Sequence, residues 1–190
     1  GIYNGQKVMI KSSAGCAIES LAELFAYRLG TELGLRVNEV EITNEGKLFN
    51  LDRICSIHMW EEDFVISSKY ENNPSNQDRH TLSFFDALLD NDDRNHGNFG
   101  YIGDELFLID HGFAGPWNMV GPYETVNLEK THDSISEIVE KFLLLEEEDF
   151  WEMAELPSEL KMEFHESYIN KIVLRMIEAQ LIIKGELTVC

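Results

Sequence analysis

Asp92-Asp93-Arg94-Asn95-His96-Gly97-Asn98 leads into Phe99-Gly100-Tyr101-Ile102, then Gly103-Asp104, then Glu105-Leu106-Phe107-Leu108-Ile109, and closes on Asp110-His111-Gly112. A Gly-Asp pair between two apolar runs predicts a hairpin with a two-residue turn. Its strands, Asn98 to Ile102 and Glu105 to Ile109, pair Ile102 with Glu105 and set Asn98 beside Ile109. Asn98 and Asp110 then arrive at the same end of the hairpin. Asp93, five residues before Asn98, sits on the loop above them. Two carboxylates and an amide oxygen converge with no assumption beyond the turn.

Phosphoryl transfer needs such groups, because it is mostly positioning and charge neutralisation. Mg²⁺ takes a few hard protein oxygens together with phosphates and waters. Asn98 and Asp110 supply such oxygens. Asp93 is placed to orient an acceptor hydroxyl and take its proton. Protein kinases use the same logic: an Asp and an Asn five apart, and a second Asp beyond a hairpin. A solvated acidic turn is the plain alternative. A calcium loop starting at Asp90 fits at Asp92 but fails afterwards. It would put Arg94 at position five, Asn95 where Gly is needed and Tyr101 where a bidentate Glu is needed. His96 and His111 are read as hydrogen-bonding or structural residues, and Phe113, Trp117 and Trp151 as core.

Upstream, Ile2-Tyr3, Asn4-Gly5 and Gln6 to Lys11 read as strand, type I′ turn and strand. Ser12 to Gly15 breaks the pattern. A helix follows from about Ala17 to Leu33, with Ile18, Leu21, Leu24, Phe25, Leu29 and Leu33 at spacings of three and four and Gly34 to close it. Lys11 ends a strand and the helix carries Glu19 and Glu23. In kinases a strand lysine of this kind touches the ATP phosphates and is held by a helix glutamate. Val37 to Ile42 alternates like one strand, and Leu48 to Ile66 holds further short strands. Glu71 to Arg79 is polar, contains Pro74, and reads as a linker or loop before a helix from about Thr81 to Leu89. From Ser134 onward the chain reads as helical, with Pro157-Ser158 at a helix start and Gly185 at a helix end.

The chain has 190 residues, 44% of them hydrophobic, which allows a real core. No apolar run approaches the ~18 residues of a membrane span. The first residues have neither a basic nor an apolar leader region, so no signal peptide is expected. The formal charge of −20 disfavours a nucleic-acid partner and an anionic membrane. Three cysteines in no metal-binding spacing fit a reduced, cytoplasmic setting.

Ile109-Asp110-His111-Gly112-Phe113-Ala114-Gly115-Pro116-Trp117-Asn118 resembles the metal-binding segment of HipA-like kinases, in particular the small HipA-like kinases. Phe84-Phe85-Asp86-Ala87-Leu88-Leu89-Asp90-Asn91-Asp92-Asp93-Arg94 is similar to their catalytic loop and the helix before it. Glu23 to Leu29, with Leu33-Gly34-Leu35-Arg36-Val37, resembles their first helix, which favours Glu23 over Glu19 as the partner of Lys11. The resemblance covers about Lys7 to Asn118. It implies an α+β, two-lobed protein-kinase-like fold, with an N-terminal lobe over 1–70 and a mainly helical catalytic lobe over 71–190. It implies ATP and Mg²⁺ as cofactors and transfer to a Ser or Thr hydroxyl of a protein substrate. By match, Asp93 is the catalytic base, Asn98 and Asp110 are metal ligands, and Lys11 with Glu23 binds the nucleotide phosphates. The chain departs from the pattern at Asn95, where such kinases often have His, and before Lys11, where only Asn4-Gly5 stands for a Gly-rich loop. The rival readings are a small-molecule or lipid kinase with the same core, a pseudokinase acting through nucleotide binding or protein contacts, and a helical interaction domain.

Overall fold

A type I′ hairpin turn needs left-handed backbone at both central positions, and φ is 49° at Asn4 and 83° at Gly5. In the computed structural model this turn joins β1 (Ile2–Tyr3) to β2 (Gln6–Ser12), with Tyr3 opposite Gln6. The structure describes residues 1–12, 18–44, 54–71, 73–91, 93–112, 133–156 and 165–187. Of the Ser12 to Gly15 breaker, Ser12 still belongs to β2 and residues 13–15 lie outside them, as do part of the Leu48 to Ile66 stretch, Phe113 to Asn118 and Pro157-Ser158.

After β2 come α1 (Ile18–Glu32), β3 (Arg36–Val37), β4 (Val40–Thr43), β5 (Cys55–Met59) and β6 (Phe64–Ile66). Then follow α2 (Asn76–Leu89), β7 (Phe99–Ile102), β8 (Glu105–Leu108), α3 (Ser136–Leu144), α4 (Glu147–Ala154) and α5 (His165–Ile183). The strands form two four-stranded sheets, ordered β1-β2-β5-β4 and β3-β8-β7-β6. Among the described residues only β3 and β8 pair in parallel. The strand-rich start and helical remainder make the fold α+β. β3 and β6 precede residue 71 and pair with the hairpin that follows it, so sheet membership crosses that position. Among the described residues no helix is long and apolar enough to cross a membrane.

Two expectations change. Val37 to Ile42 is not one strand: the chain leaves one sheet for the other at Asn38-Glu39. The Asn38 amide still donates to the Leu108 carbonyl at 2.9 Å, and the Glu39 carbonyl already accepts from the Met59 amide at 3.0 Å. Alternation of side chains is the same in both sheets, so the sequence period does not mark the switch. The polar stretch before α2 is also shorter than expected, because the helix starts at Asn76. Ser75 Oγ accepts from the Asp78 amide at 3.0 Å, and Asp78 Oδ2 accepts from the Ser75 amide at 2.8 Å. That reciprocal cap satisfies orphan amides and extends the helix through polar residues.

One core holds the layers together. α1 buries Leu21, Leu24, Phe25 and Leu29, α2 buries Phe84, Phe85 and Leu88, and Phe142, Phe150 and Met176 join them from α3, α4 and α5. Each fully buried side chain of this size contributes about 1.5–3 kcal/mol. α1 closes on Gly34 (φ 76°), with Gly34 N donating to Thr31 O at 3.0 Å and Leu35 N to Gly30 O at 2.8 Å. α1 also lies so close to β3 that a Cβ on Gly30 would sit 2.2 Å from Val37 Cγ2. Overpacking of that kind costs about 1–3 kcal/mol, against about 1 kcal/mol of helix propensity gained by alanine. Gly30→Ala is therefore expected to destabilise the fold, seen as a lower urea midpoint; an unchanged or higher midpoint would show that Val37 gives way freely.

Candidate active site

Lys11 and Glu23 reach each other because β2 and α1 present them to the same layer. On β2, Lys11 pairs with Ser56 of β5 and Met9 pairs with His58, so these four share one sheet face. α1 packs on β4 and β5. Lys11 Nζ lies 2.8 Å from Glu23 Oε1 and 2.8 Å from Asp110 Oδ1. The other Glu23 oxygen, Oε2, accepts from the His111 backbone amide at 2.8 Å. One carboxylate, with its side chain only 3% exposed, thus ties β2, α1 and the segment after β8 together.

The hairpin forms as its turn demands, with Ile102 opposite Glu105 and the Ile109 amide donating to the Asn98 carbonyl at 3.2 Å. Immediately beyond, Asp110 takes a left-handed conformation (φ 59°), which turns the chain at the residue whose carboxylate meets Lys11. Asn98 Nδ2 donates to the Asp93 carbonyl at 2.8 Å and to Asp93 Oδ2 at 3.2 Å. With its nitrogen so engaged, the amide oxygen of Asn98 faces away from Asp93. Asn95 closes the loop between them: its Oδ1 accepts from the Gly97 amide at 2.7 Å, and its carbonyl from the Asn98 amide at 3.0 Å. An Asx turn therefore supplies the loop's hydrogen bonding at the position where His was expected.

The five expected residues fall into two groups. Lys11, Glu23 and Asp110 are in direct contact; Asp93 and Asn98 are in direct contact; the Asn98–Ile109 rung joins the groups. His96 is exposed and stands beside Phe99, with ring centroids 5.9 Å apart. Among the described residues no cluster of three or more His, Cys, Asp and Glu side chains is placed to hold a metal.

Sequence reasoning missed the brace under this loop. Arg94 Nε lies 3.0 and 3.1 Å from the two carboxylate oxygens of Asp86, and Nη2 lies 2.9 Å from Oδ1. Arg94 Nη1 donates to the carbonyl oxygens of Asn98 and of Ile109, the latter at 2.9 Å. Asn91 Nδ2 donates to Asp86 Oδ1 at 3.0 Å, and Asn91 Oδ1 accepts from the Asp93 amide at 3.3 Å. A planar fork with five donors can serve a carboxylate and two carbonyls together. The signal was one cation inside an acidic loop, eight residues after an Asp on the preceding helix.

The electrostatics follow from burial. Burial alone would raise the Glu23 carboxyl, but its bond to His111 and the charge of Lys11 outweigh it and hold it well below the usual range. Burial would lower the Lys11 ammonium; Glu23 and Asp110 leave it raised. Burial, with Lys11 and His111 adding to it, pushes His58 down to about 4, and burial also lowers His111. An unfolded histidine takes a proton near 6.5, whereas folded His58 stays neutral to about 4. Their share of stability is present above pH 6.5 and falls as the pH drops towards 4. Below the ordinary Glu value of 4.5, the share from Glu23 is lost in turn. The urea midpoint of the wild type is therefore expected to decline from pH 7 to 4, and His58→Gln to flatten that slope. A variant slope equal to the wild type's would remove His58 from the account.

No protein-family model and no curated protein matches the sequence. Solved structures do match. The proinflammatory kinase CtkA of Helicobacter pylori superposes with a TM-score of 0.65 at 13% identity, over 98% of this chain and 91% of that one. HipA of Shewanella oneidensis MR-1, in a toxin–antitoxin complex with HipB and operator DNA, superposes with a TM-score of 0.59 at 14% identity. That alignment covers 97% of this chain and 62% of HipA, so the chain spans under two thirds of HipA's length. With the strand lysine, helix glutamate and hairpin acid in one cluster, the fold of this chain is the HipA-like kinase fold.

Proposed function

We propose that the chain is an ATP- and Mg²⁺-dependent phosphotransferase that passes the γ-phosphate to a Ser or Thr hydroxyl of a protein. The observation that carries this is Lys11, held at 2.8 Å by a helix glutamate and at 2.8 Å by the hairpin acid. Its ammonium is presented beside the carboxylate that a phosphate-bound cation would share.

The donor set fits Mg²⁺ bound together with a nucleotide, since that ion needs only one or two protein oxygens when phosphates and waters complete its shell. Asp110 offers a part-exposed carboxylate, and Asn98 an amide oxygen turned away from Asp93. When bound, Mg²⁺–ATP supplies the transferable phosphoryl group and the charge neutralisation that its transfer requires. Lys11 would hold nucleotide phosphate oxygens, and Glu23 would fix the direction of its ammonium. Asp93 would accept the proton of the incoming hydroxyl at its carboxylate, a contribution of about 10²–10⁴-fold in rate. Asp93 is exposed, so the hydroxyl of a protein can reach it.

Phosphate transfer from γ-labelled ATP to the chain itself or to added protein is expected in the wild type. Asp93→Asn should lower it about 10²–10⁴-fold with Mg²⁺–ATP affinity kept. Turnover equal to the wild type's would exclude Asp93 as the base. Asp110→Asn should abolish the Mg²⁺ dependence of ATP binding measured by calorimetry, and an unaltered Mg²⁺ dependence would refute the metal assignment.

A further inference from the structure

α1 does more than present Glu23. Five residues further along, Arg28 leaves the helix about 140° around its axis from Glu23 and crosses to the end of α4. Its Nη1 lies 3.2 Å from the carbonyl oxygen of Glu152, 2.9 Å from that of Met153 and 2.9 Å from that of Glu155. The last turn of a helix leaves carbonyls without intrahelical partners and carries the negative end of the helix dipole. A guanidinium there answers both. α1 is thus gripped from two sides, by Lys11 and the His111 amide through Glu23, and by the end of α4 through Arg28.

We propose that Arg28 is a positioning residue for the Lys11–Glu23 pair: it fixes α1 against α4 so that the Glu23 carboxylate stays on Lys11. The proposal rests on the kinase reading for its consequence, because a displaced Glu23 frees the lysine that would hold the nucleotide phosphates. The geometry itself does not depend on that reading. Arg28 donates to backbone oxygens at the end of α4, and the charge of Glu155 adds attraction at the same place. The grip acts about 7.5 Å along the axis from Glu23, close enough for a tilt of α1 to move the carboxylate off the ammonium.

The test uses the full chain with Arg28→Met, which keeps the apolar stem and removes the donors, alone and combined with Glu23→Gln. Two readouts are taken: the rate at which an amine-selective acylating reagent labels Lys11, followed by peptide mass spectrometry, and phosphate transfer from ATP. Arg28→Met is expected to speed Lys11 labelling and slow transfer by about 3- to 30-fold. In the Glu23→Gln background it should add nothing, since the pair is already broken. Arg28→Lys, which restores a cation at the carbonyls, should recover most of the wild-type rates. The same factor in both backgrounds, or unchanged labelling of Lys11, would overturn the proposal and leave Arg28 as a helix cap. If Arg28→Met does not fold, Arg28→Gln takes its place with the same criteria. A wild type that transfers no phosphate but shows the non-additive labelling upholds the positioning role and removes the kinase reading. Transfer without that coupling does the reverse.

Discussion

A carboxylate buried to 3% exposure is costly unless each oxygen is answered, and Glu23 has both answered. Lys11 faces one oxygen and the His111 amide faces the other. Three separate pieces of chain must therefore be in register at once: β2 to bring the ammonium, α1 to bring the carboxylate, and the exit of β8 to bring the amide. The left-handed turn at Asp110 belongs to the same constraint. It lets one residue give its side chain to Lys11 while the next gives its backbone to Glu23. A Cβ on Gly112 would stand 3.5 Å from Glu23 Oε1, so the segment runs close along the carboxylate.

Around that centre arginines serve backbone oxygens as well as carboxylates. With 15 basic residues against 35 acidic ones, surface attraction for Arg is available almost everywhere. Among the described residues three arginines also reach carbonyl oxygens, two of them while pairing with a carboxylate, Arg94 with Asp86 and Arg175 with Asp90. Arg28 serves the end of α4. Arg94 serves both strands at the foot of the hairpin. Arg175, on α5, serves Leu88 at 2.7 Å and Ala87 at 2.6 Å at the end of α2. Helix and strand ends leave acceptors that must be satisfied when buried, and a guanidinium supplies several donors from one group. The result joins α1 to α4, the loop of Asp93 to the hairpin, and α2 to α5. Those joints fix the groups proposed for chemistry relative to one another.

Much of this was legible in the sequence. Asn4-Gly5 and Gly103-Asp104 each fixed a hairpin because a two-residue turn also fixes the register, and register put Asn98 beside the residue before Asp110. The spacing of Leu21, Leu24, Phe25 and Leu29 gave α1 to within a residue or two. What escaped did so for two reasons. The switch at Asn38-Glu39 leaves side-chain alternation intact and changes only the pairing partner. The cap at Ser75 and Asp78 was a short polar signal inside a stretch that reads as loop.

Local chemistry thus determined which residues could meet across one turn: Asn98 with the segment of Asp110, and Asp93 with Asn98. It also determined the residue types that a phosphate site requires. Only the tertiary structure decided that Lys11, 99 residues before Asp110, lies 2.8 Å from it, and that Arg28, over a hundred residues from α4, holds that helix's end. Contacts across such separations are selected by the packing of α1 between the sheet and the helices, through burial that favours no particular partner in sequence. No spacing rule along the chain encodes them.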